Sequence, residues 1–222
     1  MAASPSADAL VAELLHRFGR TYAQEAGIRL TDQPAPLYQL LVLATLISAR
    51  ISAEIAVAAA RELFAAGYRT PRAMAEASWQ VRVDALGRGH YKRYDERTAT
   101  MLGDGAELLT ERWHGDLRRL RDEADGAVGV VAGRLEEFPG IGPAGASVFL
   151  REAQAVWPSV APYVDERVQT GARELGLPTG RDALARLAGS DRDLARLAAA
   201  LVRVTLTKNA ADQVRQAAQD RG

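Results

Sequence analysis

The chain has 222 residues, of which 48% are hydrophobic and 25% are charged, and its 28 basic and 28 acidic side chains give a formal net charge of zero. This composition is typical of a soluble globular protein, it indicates no bulk attraction to polyanions, and no apolar run approaches the roughly 18 residues of a membrane span. The absence of cysteine excludes disulfides, thiolate zinc sites and cysteine-held iron–sulfur clusters.

Residues that commonly carry metal or amine chemistry are sparse. His16, His90 and His114 are far apart in the sequence and lack the spacing of metal ligands. Lys92 and Lys208 are the only lysines, so side-chain amines able to form a Schiff base are nearly absent. The first residues show no basic segment followed by an apolar one, and we therefore expect a cytoplasmic protein without a secretory signal.

Helical periodicity runs along nearly the whole chain, starting at residues 6–27 with Ser6 as a candidate N-cap. Residues 27–36 indicate a loop, and the almost uniformly apolar residues 37–49 predict a central, buried helix. Ser52 is expected to open the next helix. Further helices are predicted over residues 70–78, 79–88, 91–113 (broken or weakened near Gly103 and Gly105), 126–138, 143–157 and 166–176, and in two or three segments between 181 and 219. No alternation typical of strands appears, so the predicted class is all-α.

The segment LEEFPGIGPAGASVFL, Leu135 to Leu150, is too rich in glycine and proline for a helix interior. It predicts two helices joined by a tight turn, in which the backbone of Gly140 and Gly142 can approach another molecule closely. Pro143 suits the first position of the second helix. Unpaired N–H groups at such a helix N-terminus form a phosphate-binding nest, although a turn that only packs would have the same pattern.

Four segments in chain order resemble base-excision DNA glycosylases of the endonuclease III type, in the helix-hairpin-helix superfamily. They are LYQLLVLATLISARIS, GHYKRYDERTATML, the hairpin segment, and WPSVAPYVDERV, where Asp165 follows Ala144 by 21 positions. The resemblance implies two helical lobes flanking a cleft. One lobe would be a six-helix unit over residues 32–156, with the helix-hairpin-helix at about 125–157; the other would combine residues 1–31 with 157–222 and carry the catalytic Asp.

The resemblance also implies a monofunctional DNA glycosylase of base excision repair. Asp165 would stabilise the positive charge that develops on the sugar while the N-glycosidic bond of a flipped-out, damaged or mismatched base is hydrolysed. Bifunctional members of the family carry a nucleophilic lysine where this chain has Ala144, so we expect base release without strand cleavage. The four-cysteine cluster that often follows the catalytic helix in the family is absent as well.

Further site residues are assigned by the same resemblance. Residues predicted to contact DNA are Gly140, Gly142, Pro143, Gly145, Arg50, His90, Tyr91, Lys92 and Arg93. Arg50 and His90 align with residues that fill the gap left by a flipped base, and Tyr163, Glu166 and Arg167 would line the base pocket. The expected partner is double-stranded DNA with a lesion or mismatch, bound by a nucleoid-associated monomer. No metal or cofactor is expected, except that a monovalent cation at the DNA-bound hairpin is left open.

Two other functions remain open on the sequence. A non-catalytic helix-hairpin-helix DNA-binding protein is favoured by the missing lysine and cysteines, and the retained Asp165 argues against it. A helical interaction protein would use the hairpin only as a packing turn. Asp165 is also typical of an N-cap, and the charged run that includes Arg93, Asp95 and Glu96 is also typical of a solvated surface.

Overall fold

The computed structural model describes residues 5–220, which form fourteen α-helices and no strand. The helices are α1 (Ala7–Phe18), α2 (Tyr22–Glu25), α3 (Pro34–Ser48), α4 (Ala53–Ala65), α5 (Pro71–Glu76), α6 (Trp79–Arg88), α7 (Asp95–Trp113), α8 (Leu117–Asp122), α9 (Val128–Leu135), α10 (Pro143–Ala153), α11 (Glu166–Leu175), α12 (Arg181–Ala188), α13 (Asp191–Leu206) and α14 (Ala210–Gln219). The all-α class predicted from the sequence is confirmed.

The chain divides into two compact units, and the first, which we call the hairpin unit, comprises residues 22–150. Its central helix is α3, which is buried nearly all round because α2, α4, α7 and α8 pack against it. Helix α7 packs against α5 and α6 and completes the unit's framework. The uniformly apolar sequence of α3 is therefore explained by burial on every face.

The second unit, which we call the Asp165 unit, contains residues 5–21 and 151–220 of the described chain. Helix α13 is its centre and packs against α1, α11, α12 and α14. The core includes Leu14, Val168, Leu201 and Val214. Gly171 allows α11 to approach α13 closely, because a Cβ there would lie 2.1 Å from the carbonyl oxygen of Leu201.

The unit boundaries fall at residues 21/22 and 150/151, whereas the sequence placed the lobe boundaries at 31/32 and 156/157. Because Arg151 is the first residue assigned to the Asp165 unit, α10 begins in one unit and ends in the other. This helix connects the hairpin covalently to the segment that precedes Asp165.

The predicted N-caps Ser6 and Ser52 are confirmed, since each hydroxyl accepts from a backbone N–H in the first turn of its helix. Helix α7 is not broken near Gly103 and Gly105, because it runs without interruption from Asp95 to Trp113, and it begins at Asp95 rather than at Tyr91. Gly103 within it serves packing, because a Cβ there would lie 2.7 Å from the guanidinium of Arg82.

Candidate nucleic-acid interface and catalytic carboxylate

The hairpin between α9 and α10 is a tight turn, as the sequence predicts. Gly140 has φ +84°, a left-handed conformation that favours glycine, and the N–H of Ile141 donates to the carbonyl oxygen of Phe138 at 3.0 Å. Pro143 is the first residue of α10, where its missing N–H costs no hydrogen bond. The turn is held in place by Phe138, which is buried and stacks on Trp113 with ring centroids 5.6 Å apart.

The outer side of the turn presents backbone donors. Within residues 5–220, no protein acceptor pairs with the N–H groups of Gly140, Gly142 or Ala144. Gly140 and Ala144 are exposed and Gly142 is partly exposed. Unpaired N–H groups at the start of a helix, together with the positive end of its dipole, favour an anion at this place.

The three hairpin glycines differ in what surrounds them. A Cβ on Gly140 would lie 2.8 Å from the sulfur of Met101, and a Cβ on Gly142 would have no atom within 4 Å. Gly145 is buried, and a Cβ there would lie 2.2 Å from Oγ of Ser48. The prediction that Gly145 contacts DNA is therefore corrected, since it is glycine because α10 packs tightly on the end of α3.

The C-terminal end of α3 brings two of the predicted DNA-contacting segments together. On one side Ser48 touches Gly145 of the hairpin. On the other side the hydroxyl of Tyr91 donates to the carbonyl oxygen of Leu46 at 3.2 Å, which fixes the loop between α6 and α7. Tyr91 itself is fully buried, so its predicted contact with DNA is corrected to a role in holding this loop.

Exposed basic side chains lie just after α3 in the chain and in the loop that Tyr91 holds. Arg50, His90, Lys92 and Arg93 are all exposed, and we call them the basic edge. His90 has φ +63°, and the guanidinium of Arg93 lies 5.2 Å from the centre of the Tyr94 ring. The basic edge and the hairpin turn thus belong to one unit and are attached to the end of one helix.

A small apolar pocket lies beneath the hairpin and is lined by residues that include Tyr38, Thr45, Met101 and Phe138. The buried hydroxyl of Tyr38 has no hydrogen-bond partner among the described residues, and burial raises its pKa. The rest of the lining is mainly aliphatic, so the pocket adds no charged group to the candidate interface.

Asp165 is the N-cap of α11, as its position before a helix predicted. Its Oδ1 accepts from the backbone N–H of Val168 at 3.0 Å. Its Oδ2 accepts from the guanidinium of Arg151, in the last turn of α10. Both partners are largely enclosed, with 8% of the Arg151 side chain and 15% of the Asp165 side chain exposed. The carboxylate is thus held on both oxygens and still reaches the surface.

The segment before Asp165 is fixed by Gln154. Its Oε1 accepts from the N–H of Tyr163 at 2.9 Å, and its Nε2 donates to the carbonyl oxygens of Tyr163 at 3.2 Å and Arg151 at 2.9 Å. Tyr163 is partly exposed, while Glu166 and Arg167 are exposed in the first turn of α11. The structure therefore brings Asp165 and the three predicted base-pocket residues together within one unit.

Sequence reasoning missed Arg151 and Gln154. Both follow the apolar run ASVFL at the end of α10, and both are buried. A buried charged side chain and a buried amide side chain need partners, because an uncompensated buried polar group is costly. That pattern was the available signal, but it gave no indication of the partners.

Neither a metal site nor a membrane span emerges from the described part of the chain. Residues 5–220 contain no cluster of three or more His, Asp or Glu side chains able to hold a metal ion. None of their helices combines the length and hydropathy needed to cross a bilayer.

Comparison with known proteins gives a likeness to a solved structure. No protein-family model and no curated protein matches the chain. A solved structure described as a trapped endonuclease III–DNA covalent intermediate, an estranged-adenine complex, is similar with a TM-score of 0.48 and 17% sequence identity. The likeness covers 86% of this chain and 81% of that one.

Proposed function

We propose that this protein is a monofunctional DNA glycosylase, which binds a duplex through its hairpin unit and hydrolyses the N-glycosidic bond of a flipped-out base. The observation that carries the proposal is the arrangement at the end of α3, where the hairpin and the loop of the basic edge are both attached. Backbone donors and exposed cations on one unit are the two elements that bind a phosphate backbone without reading sequence.

The basic edge would act beside the hairpin. Lys92 and Arg93 would contact phosphates, and Arg50 and His90 would occupy the gap left by the flipped base. The side chains of Arg50, Lys92 and Arg93 are charged and exposed, so the affinity for undamaged duplex would fall steeply with added salt.

The carboxylate of Asp165 would carry the chemistry. The bond between C1′ of the sugar and the base nitrogen breaks with its electron pair leaving on the base, and positive charge develops on the sugar. A negative charge held nearby lowers the energy of that state. Water then adds to C1′ and loses a proton, for which a carboxylate is a suitable acceptor.

Strand cleavage by an imine route would be absent. Ala144, at the position of the family's nucleophilic lysine, is exposed, and its methyl group can neither attack the sugar nor form an imine. The product would be an intact strand with an abasic site. Because a carboxylate and water suffice, we propose that no metal or other cofactor is required and that base release survives chelators.

The test is base release from a panel of duplexes that contain uracil, a thymine mismatch, an alkylpurine, hypoxanthine or an oxidised pyrimidine. Strands are analysed with and without alkali, since alkali converts abasic sites to breaks. We expect alkali-dependent breaks on at least one duplex, lost in Asp165→Asn and retained in Lys208→Ala. Absence of release from every duplex by a protein that still binds DNA would refute the proposal.

A second candidate is a non-catalytic DNA-binding protein with the same hairpin. It is favoured by the ion pair of Asp165 with Arg151, because a carboxylate that serves only to cap α11 and to neutralise a buried arginine needs no substrate. The same panel distinguishes the two, since this candidate requires salt-dependent binding of every duplex and release of no base.

A further inference from the structure

Two residues at the end of α10 and directly after it contact both the segment before Asp165 and the carboxylate of Asp165. Gln154 fixes the backbone at Tyr163, and Arg151 contacts the side chain of Asp165. Arg151 lies in the last turn of α10, and Gln154 directly follows the end of that helix. The end of α10 and the residue that follows it therefore fix the position of the segment that leads into α11.

The two contacts on Asp165 leave it able to accept further bonds. A carboxylate has about four lone-pair sites, of which one accepts from the N–H of Val168 and one from the guanidinium of Arg151. With 15% of its side chain exposed, Asp165 is not fully enclosed. The pair fixes its orientation without closing it to a water molecule or a sugar.

Orientation matters for the reaction proposed above. An electrostatic catalyst is effective when its charge is already placed where the opposite charge develops, and displacement by about 1 Å can cost about 100-fold in rate. The Val168 N–H holds only one oxygen, so without a second contact a single hydrogen bond opposes rotation of the carboxylate about its χ2 bond. Arg151 supplies that second contact.

We propose that Arg151 is a positioning residue for the reaction, holding the Asp165 carboxylate in the orientation that faces the sugar. This inference rests on the proposed glycosylase function. It predicts an effect on the chemical step rather than on DNA binding, because Arg151 is enclosed and is not part of the basic edge. A purely structural pair would instead affect stability alone.

The experiment measures single-turnover excision and DNA affinity for Arg151→Met, which keeps an unbranched apolar stem without the donors, and for Arg151→Lys, which keeps the charge and one donor group. Single-turnover conditions separate chemistry from product release. We expect Arg151→Met to lower the rate by about 10- to 100-fold with unchanged affinity, and Arg151→Lys to recover part of that loss.

Arg196→Met is the matched control, because Arg196 forms an ion pair with Asp193 at 2.8 Å in the same unit. It should lower stability without changing the excision rate. If Arg151→Met does not fold, Arg151→Gln replaces it with the same expectation. The positioning role is overturned if a folded Arg151 variant without donors excises the base at the wild-type rate. It is also overturned if such a variant binds DNA more weakly but excises at an unchanged rate. In both cases the proposed glycosylase activity is unaffected. Absence of excision by the wild-type protein refutes the glycosylase proposal, and the positioning role with it.

Discussion

The contact between the hairpin and the end of α3 can be tested by Gly145→Ala. The new Cβ would lie 2.2 Å from Oγ of Ser48 and 3.2 Å from Cγ2 of Ile141, and real contacts of this kind need more than 3 Å. Oγ cannot turn away freely, because it donates to the carbonyl oxygen of Ala44 at 2.7 Å. Overpacking typically costs about 1–3 kcal/mol, and the higher helix propensity of Ala offsets roughly 0.5–1 kcal/mol of that. The net expectation is a loss of about 1–2 kcal/mol.

Thermal unfolding monitored by circular dichroism measures this loss. For a chain of this size about 2–4 °C in Tm corresponds to 1 kcal/mol, so Gly145→Ala should lower Tm by roughly 2–8 °C. Gly133→Ala is the matched control, since Gly133 lies inside α9 and a Cβ there would have no atom within 4 Å. It should leave Tm unchanged or raise it slightly.

A double-mutant cycle then assigns the cause. Ser48→Ala removes the clashing oxygen and leaves the Ser48 Cβ position at 3.4 Å, an ordinary contact. The double variant should recover at least about 1 kcal/mol relative to the sum of the single variants. A Gly145→Ala protein as stable as Gly133→Ala, or a double variant without recovery, would show that the hairpin does not rest on Ser48.

The remaining predictions concern DNA and catalysis. Asp165→Asn should lower the excision rate by about 100-fold or more while lesion binding is retained. Its Tm should also fall, because Arg151 loses its counter-charge. A normal excision rate would show that Asp165 is only an N-cap. In single-turnover assays, His90→Ala should impair excision of a paired target base more than of an unpaired one. The control is His114→Ala, because His114 is also exposed and has φ +54°, and this variant should show no such difference. Equal losses on both targets would contradict a gap-filling role for His90. Replacing Gly142, which has open space around it, by a bulky residue should weaken binding to all duplexes alike in titrations, and an unchanged affinity would exclude the hairpin as a phosphate site. Borohydride should trap no covalent protein–DNA complex, and trapping abolished by mutation of Lys92 would refute the monofunctional assignment.

The sequence alone determined the features that depend on local order. Helical periodicity, N-caps such as Ser6 and Ser52, and the dense turn residues around Gly140 act over one or two turns of chain, so the all-α class and the tight hairpin were predictable. The position of Asp165 at the start of a helix could be predicted from the sequence for the same reason. These features need no knowledge of distant neighbours.

The tertiary structure decided what depends on residues distant in the chain. Gly103 and Gly145 resemble helix breakers or ligand contacts in the sequence, but each lies where a neighbouring side chain takes the place of its Cβ. Tyr91 resembles a DNA contact until the carbonyl oxygen of Leu46, 45 positions earlier, is found to accept from its hydroxyl. Arg151 meets Asp165 only because the loop between α10 and α11 folds back. Such pairings follow from close packing of the whole chain, which no local pattern encodes.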